Sequence, residues 1–333
     1  GQAMTYGDLA KAGETTATFD EAVRTDVALT LVPNWEVLGQ SVPRPNARAL
    51  VTGAHRFPSD IVRPGMLYGR VLRPPAYGST LESIDLSTAQ AMDDVVVVRE
   101  GAFVGFAAPT SHRARQALEA AARTASWKPS APSVSHETVF EHLRVHARAE
   151  GARTDEKGSA SKALGNANRV LEEEYRVAFV QHAPMEPRAA VAEWDGGHLT
   201  VWAGCDGPFR AQAALVKELG VPEKQVRVII PDMGGGFGGK HTAEAAIEAA
   251  RLARAAEKPV SVQWTREEEF TGAYCRPAAL IECRGGLDAG GSLVAWNFTT
   301  INPGGSALDP PYAIPNVATS SVPSDSPLPQ GSY

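Results

Sequence analysis

Hydrophobic and polar positions alternate in short runs along the first half of the chain, which predicts strands and helices in mixed order. Strand-like runs, rich in β-branched and aromatic residues, cover residues 66–72, 95–98 and 102–107. Apolar residues at helical spacing follow over residues 111–125, with Thr110 or Ser111 as the N-cap. These elements predict a compact α+β unit that ends near Trp127.

The second half repeats this alternation from about residue 170. Asp195, Gly196 and Gly197 lie between two apolar runs, which is typical of a hairpin, and Gly220 is placed to end a helix over residues 209–219. The remaining predicted elements are strands at 226–230 and 260–264, a helix at 242–256, and a hairpin formed by 279–284 and 293–300. Strands and helices again alternate, so we predict a second α+β region.

Polar segments separate and flank these regions. Residues 1–40 read as an extended lead-in, and residues 128–169, which contain Pro, Gly, Ser and charges of both signs, read as a linker. The predicted division is therefore lead-in 1–40, first domain 41–127, linker 128–169 and second domain 170–333. The tail after residue 302 is rich in Pro, Gly and Ser and does not resemble the end of a domain.

Composition narrows the function classes. A chain of 333 residues holds about two domains, and its net charge of −6 argues against nonspecific nucleic-acid binding. No apolar run approaches the roughly 18 residues of a membrane helix. The three cysteines are too few for an iron–sulfur cluster, which needs about four thiolates, so any electron relay must lie on a partner. Buried free thiols are expected, with a single disulfide as the alternative.

The heptapeptide GGGFGGK, residues 234–240, is the most unusual segment. Glycine permits backbone conformations with positive φ and close approach of a ligand to main-chain N–H groups. Three interpretations follow from the residues. A nucleotide phosphate loop is disfavoured because His241 replaces the required Ser or Thr. A dinucleotide-binding motif rests on a weak match. A purely structural turn is the third interpretation, and it stays open.

The heptapeptide also resembles the signature loop of the xanthine dehydrogenase and aldehyde oxidase family of molybdenum hydroxylases. Other segments are similar to that family in order and spacing, namely residues 64–75, 181–188, 219–226, 264–269 and 276–277. The similarity runs from about Tyr6 to Tyr333 and is greatest to the isoquinoline oxidoreductase and periplasmic aldehyde dehydrogenase type of large subunit. It implies an α+β fold, with a hammerhead-like α/β domain followed by the first part of a molybdopterin-binding domain.

The resemblance implies an oxidoreductase that oxidises aldehydes or aromatic N-heterocycles with oxygen from water. Its cofactor is molybdopterin with molybdenum, with or without a cytosine dinucleotide, and electrons pass to [2Fe–2S] clusters on a small subunit. The base glutamate of the family lies outside this chain, so activity requires the C-terminal remainder of the large subunit, as part of a longer protein or as a separate chain. A cytochrome c or flavin subunit is a further implied partner. The resemblance to the isoquinoline oxidoreductase and periplasmic aldehyde dehydrogenase type favours a periplasmic location.

The resemblance also assigns site residues. Gly235, Gly236, Phe237 and Gly238 are expected to bind the cofactor, with the N–H groups of Phe237 and Gly238 facing the apical oxo ligand and no side chain binding the metal. The Phe237 ring is expected to form a wall of the substrate pocket. Asp206 stands where the family has a glutamine, and a carboxylate only accepts hydrogen bonds. His241 and Ile281 replace polar anchors of the purine-oxidising members.

Other polar residues of these segments have simpler interpretations. Pro184 argues against a helical metal pair of His182 and Glu186, so Glu186 is expected to make a structural hydrogen bond. Lys240 is expected to pair with a backbone group or a carboxylate, and residues 267–269 read as a solvated charge run. The alternative function is a cofactor-free binding or assembly module that keeps the fold without turnover.

Overall fold

The structure is a computed structural model that describes residues 5–11, 26–130 and 134–331. The chain divides into two compact units, Gly1–His55 and Arg56–Tyr333. In the first unit, the described residues form helices α1 (Tyr6–Lys11) and α2 (Ala47–Val51) and a 3₁₀ turn (Val32–Asn34). The predicted lead-in lies in this unit, and its residues 1–4 and 12–25 fall outside the described residues.

The second unit holds all the described strands. Its helices are α3 (Ser87–Gln90), α4 (Ser111–Ala122), α5 (Val139–Val145), α6 (Ala160–Gly165), α7 (Pro208–Leu219), α8 (Glu244–Ala256) and α9 (Arg266–Gly272). Its strands are β1 (Leu67–Val71), β2 (Thr80–Ser83), β3 (Val96–Glu100), β4 (Phe103–Ala108), β5 (Ser126–Lys128), β6 (Arg153–Lys157), β7 (Arg169–Val177), β8 (Ala189–Asp195), β9 (His198–Ala203), β10 (Val226–Ile229), β11 (Val260–Gln263), β12 (Ala279–Leu287), β13 (Leu293–Ile301) and β14 (Asn316–Val322). In the described part of the chain, no helix combines the length and apolar character needed to cross a membrane.

A seven-stranded sheet in the order β10-β9-β8-β11-β1-β4-β3 forms the centre of this unit. β1 pairs in parallel with β11, in the register of Leu67 with Val260. The sheet therefore takes strands from both predicted domains, so the predicted division at 127 and 170 does not separate the strands in space. Local patterns carry no information about a pairing between strands so far apart in sequence.

The alanine-rich helix α8 packs on this sheet, and its small side chains allow a short distance between helix and sheet. Ala249, Ala250 and Leu252 are fully buried in the main core cluster. On the facing strand β1, a Cβ added to Gly69 would lie 2.7 Å from both Leu252 Cδ1 and Val262 Cγ2. Small residues on both sides thus set the distance between helix and sheet, because larger side chains would overlap in a close-packed interior.

A second sheet has the order β6-β14-β13-β12-β7, and β2 pairs with β5 in a small ribbon. Three strands of the second sheet, β6, β7 and β14, were not predicted. The segment 128–169, expected as a linker, contains α5, β6 and α6, and the tail after residue 302 contains β14. β6 is exposed along its whole length, so it shows no alternation of polar and apolar residues.

Local signals, in contrast, predicted their elements correctly. β8 and β9 pair as the predicted hairpin, with Gly196 and Gly197 at positive φ. Gly220 caps α7 in the left-handed conformation, and the Thr110 side chain accepts a hydrogen bond from the Arg113 N–H at the start of α4. The mixture of helices and sheets confirms the predicted α+β class.

Candidate functional site

The glycine-rich loop lies between β10 and α8, and its backbone requires the glycines. Gly235 and Gly238 have φ values of 98° and 88°, and the Gly239 N–H donates to the Gly236 carbonyl over 2.8 Å. α8 begins at Glu244, two residues after the predicted start at 242, so three residues separate the heptapeptide from the helix. That spacing differs from a phosphate loop, whose N–H groups form the first turn of a helix.

The loop leaves a row of backbone donors unused. Among the described residues, the N–H groups of Gly235, Gly236, Phe237 and Gly238 make no hydrogen bond, although the neighbouring N–H groups of Gly234 and Gly239 do. Three of these four residues are half-buried. Consecutive free N–H groups on a glycine-rich turn form an anion- or oxo-binding concavity, so these residues fit a group that carries such an oxygen.

Phe237 lies at the tip of this loop. Its backbone has a φ of 51°, which is uncommon for a residue with a side chain, and 62% of its surface is exposed. The ring lies outside the core clusters, with its edge near Gly235. An exposed aromatic ring on a strained backbone contributes little to packing, so its position points to a role in contact with another molecule.

Glu186 and Lys240 hold the two ends of the loop. The Glu186 carboxylate accepts the Gly234 N–H over 2.5 Å and lies 3.7 Å from Lys240 Nζ. Lys240 is 1% exposed; burial lowers the pKa of its amine, and the Glu186 carboxylate opposes that shift. The predicted structural hydrogen bond of Glu186 and the predicted carboxylate partner of Lys240 are both confirmed.

A buried ion pair supports the loop from below. Arg188 NH1 lies 2.5 Å from Glu269 Oε2, and Arg188 NH2 donates to the Gly239 carbonyl. Glu269 is fully buried, and the adjacent Glu268 binds Arg73 Nε at 2.8 Å. The prediction of a solvated charge run at 267–269 was therefore wrong for these two residues, because α9 turns them toward buried arginines.

Tyr274 and His182 complete the support. The Tyr274 hydroxyl donates to the Gly238 carbonyl and accepts the His241 N–H over 3.2 Å. The His182 ring stands edge-on to Tyr274 at 5.4 Å, and a Cβ at Gly239 would lie 2.8 Å from His182 Cβ. Segment 181–188 thus contacts the loop directly, and segment 264–269 supports it through the pair of Glu269 with Arg188.

Asp206 forms a polar cluster at the other edge of the loop. Its N–H donates to the Lys240 carbonyl over 3.2 Å, and its Oδ2 binds His241 Nδ1 and, at 3.0 Å, Arg210. The structure therefore brings Asp206 and His241 together at the end of the loop that carries Phe237. Ile281 lies elsewhere, half-buried in β12, where it pairs with Tyr175 and Thr300.

The cysteines do not contribute to this constellation as ligands. Cys205, Cys275 and Cys283 are all free and buried, as predicted. Burial raises the pKa of each thiol, which disfavours the thiolate form that binds metals. Within the described ranges, no group of three His, Cys, Asp or Glu side chains is arranged to hold a metal ion.

Comparison with known proteins identifies a match over this region. Residues 144–325, more than half of the chain, match the model of the molybdopterin cofactor-binding domain. The chain is 31% identical over 297 residues to a nicotinate dehydrogenase subunit of Pseudomonas putida, a match that covers 85% of this chain and 24% of the relative.

Two further matches extend the comparison. The aldehyde oxidoreductase molybdenum-binding subunit PaoC of Escherichia coli is 39% identical over 122 residues, covering 36% of this chain and 17% of the relative. Quinoline 2-oxidoreductase of Pseudomonas putida 86 shares the fold with a TM-score of 0.73 at 22% identity, covering 89% of this chain and 45% of that one. The chain therefore spans less than half the length of each of these three proteins.

Proposed function

The chain belongs to the xanthine dehydrogenase and aldehyde oxidase family of molybdenum hydroxylases, and from this premise we propose that it forms one side of a molybdenum active site in a larger enzyme. The single observation that carries the proposal is the row of unused N–H groups from Gly235 to Gly238, inside a chain that matches the molybdopterin cofactor-binding domain. When bound, that cofactor would supply the two-electron oxidation and the transfer of oxygen from water.

The residues of this chain would position the cofactor and the substrate and stabilise negative charge that develops during the reaction. The N–H groups of Phe237 and Gly238 would donate hydrogen bonds to an oxygen of the bound cofactor. They are fixed in advance because Glu186, Arg188 and Tyr274 hold the loop. Fixed donors stabilise developing negative charge without reorganisation. Phe237 places an aromatic face against the substrate ring, a contact of about 0.5–1.5 kcal/mol.

The substrate class follows from the relatives' names and the loop. Those names specify nicotinate, aldehyde and quinoline chemistry. An exposed aromatic wall beside a row of donors suits both aromatic aldehydes and N-heterocycles. We therefore assign this chain to the oxidation of aldehydes or aromatic N-heterocycles.

Partners complete the enzyme in this proposal. Two of the relatives are named as subunits, and three buried cysteines offer no iron–sulfur site, so we assign electron transfer to a small [2Fe–2S] subunit. The C-terminal remainder of the large subunit supplies the base and most pterin contacts. A cytosine dinucleotide form of the cofactor, a cytochrome c or flavin subunit and a periplasmic location belong to the same proposal and rest on the family type alone.

The test uses the complex that co-purifies with this chain, assayed with a dye as the electron acceptor. The complex should oxidise benzaldehyde or isoquinoline, and the isolated chain should not, because it lacks both the relay and the base. A complex that turns over neither substrate class would contradict the proposal, and so would full activity of the isolated chain.

A further inference from the structure

The cluster at the Asp206 edge of the loop has more hydrogen-bond donors than acceptors. Asp206 engages its two partners through one carboxylate oxygen, Oδ2. Arg210 carries five N–H donors and uses one of them on Asp206, and its side chain is 65% exposed. Two other cations around the loop, Lys240 and Arg188, are buried with carboxylate partners, whereas Arg210 pairs with Asp206 at the surface.

The position of the cluster ties it to the loop. The Asp206 N–H binds the carbonyl of Lys240, and His241 follows Lys240 directly in the chain. Arg210 folds back over Gly207, where a Cβ would lie 2.9 Å from its Nε. Gly207 therefore allows the guanidinium to lie close against the backbone beside Asp206, at the end of the loop that carries the unused N–H groups.

From this arrangement, and resting on the proposed function, we propose that the substrate carries a carboxylate on its aromatic ring and that Arg210 binds it. A guanidinium pairs with a carboxylate through two parallel hydrogen bonds, which gives both affinity and orientation. His241 Nδ1 is held by Asp206, so the remaining ring nitrogen, Nε2, is the second polar contact at this edge. Asp206 is a positioning residue, because it holds both the Arg210 guanidinium and the His241 ring.

The kinetic test compares two aldehydes that share one ring, 4-formylbenzoate and its methyl ester, on the intact complex with a dye acceptor. The wild-type complex should favour the acid over the ester by about tenfold or more in kcat/KM, the range of one charge-assisted hydrogen bond. Arg210→Gln should remove that preference, so that kcat/KM for the acid falls to about the value for the ester.

Arg115→Gln is the matched control. Arg115 is 57% exposed and pairs with Glu119 at the same i,i+4 spacing that joins Arg210 to Asp206, but it lies on α4, which packs against β1 and β4. This variant should keep the wild-type preference. Equal use of acid and ester by the wild type, or a preference that survives Arg210→Gln, would overturn the proposal.

A binding measurement separates this inference from the proposed function. Calorimetric titration of the complex with benzoate and with benzamide needs no turnover. Benzoate should bind more tightly than benzamide, and Arg210→Gln should abolish the difference. If the complex oxidises neither aldehyde but shows this binding pattern, the catalytic proposal fails and the carboxylate site stands. Equal binding of both probes by the wild type would refute the site.

Discussion

Phe237 combines a positive φ of 51° with a ring that is 62% exposed, so its side chain contributes little to the fold. Phe237→Ala should therefore lower kcat/KM for aromatic substrates of the complex, by about two- to tenfold from the lost ring contact. Its melting temperature should stay close to that of the wild type, because burial of the ring is small. Steady-state kinetics and thermal melting of the complex measure the two effects.

Phe106 provides the control for this comparison, because its ring is completely buried. Phe106→Ala should cost about 3–5 kcal/mol of stability, as core phenylalanines do. If Phe237→Ala destabilised the complex to a similar degree, the ring would be a packing element, and the structural interpretation of the loop would prevail.

Arg188 is buried with its partner Glu269, and removing one member of such a pair leaves an uncompensated charge. Arg188→Met should cost about 3–5 kcal/mol, seen as a large fall in the melting temperature, and should also loosen Gly239, whose carbonyl the guanidinium binds. Arg284→Met, which breaks the exposed pair with Glu172, should change little. Similar melting temperatures for the two variants would contradict this role.

The role of a residue could be predicted where its side chain has few possible partners. It could not be predicted where the partner lies on a segment distant in sequence. A buried lysine needs a carboxylate partner, so such a partner was predicted for Lys240, and Glu186 was predicted to make a structural hydrogen bond. Glu269 was missed because three consecutive glutamates on a short helix give no periodic signal, and Arg188 lies 81 positions away. The Asp206–His241 contact was missed for the same reason.

At the scale of elements, the loop depends on glycines that leave no room for a Cβ. Gly239→Ala would place a methyl group 2.8 Å from His182 Cβ and 3.1 Å from the Gly236 carbonyl oxygen, so the turn must move. We expect lower stability and a lower molybdenum content of the complex. Metal analysis and thermal melting of the variant complex measure both.

Gly165, the last residue of α6, is the matched control because an added Cβ there meets nothing within 4 Å. Gly165→Ala should leave the molybdenum content unchanged and raise stability by about 0.4–1 kcal/mol through the unfolded chain. Normal molybdenum content in Gly239→Ala would show that the turn tolerates displacement and does not position the cofactor.

Elements whose ends are defined by local turn or capping residues could be predicted from the sequence. Elements stabilised only by pairing with neighbouring strands could not. The β8–β9 hairpin and the end of α7 depend on Gly196, Gly197 and Gly220, whose backbone conformations are encoded locally. β6 and β14 pair with each other although they are far apart in sequence, in the register of Asp155 with Thr319. Their formation depends on the sheet, not on propensity, since β-propensity reflects packing context.

At the scale of the whole molecule, the pairing of β1 with β11 unites segments that sequence patterns divide. The same long-range organisation brings segments 181–188 and 264–269 to the loop. It also leaves Ile281 in the second sheet, and it pairs His241 Nδ1 with Asp206.

Purines should therefore be poor substrates of the complex. His241 and Ile281 stand where the purine-oxidising members have a glutamate and an arginine, and a purine carries no carboxylate for Arg210, so its polar edge finds no matching partner among these residues. Xanthine, benzaldehyde and isoquinoline are compared by kcat/KM with a dye acceptor, and xanthine should give the lowest value. A higher value for xanthine than for both others would show that another part of the enzyme supplies the anchors.

The metal content of the purified complex tests the central claim most directly, because it separates an enzyme from a cofactor-free binding or assembly module with the same fold. Elemental analysis of the chains that co-purify with this one should find molybdenum together with iron, and Gly239→Ala should reduce the molybdenum alone. A stable complex that contains neither metal would contradict the assignment of the glycine-rich loop to a molybdenum site and favour the module.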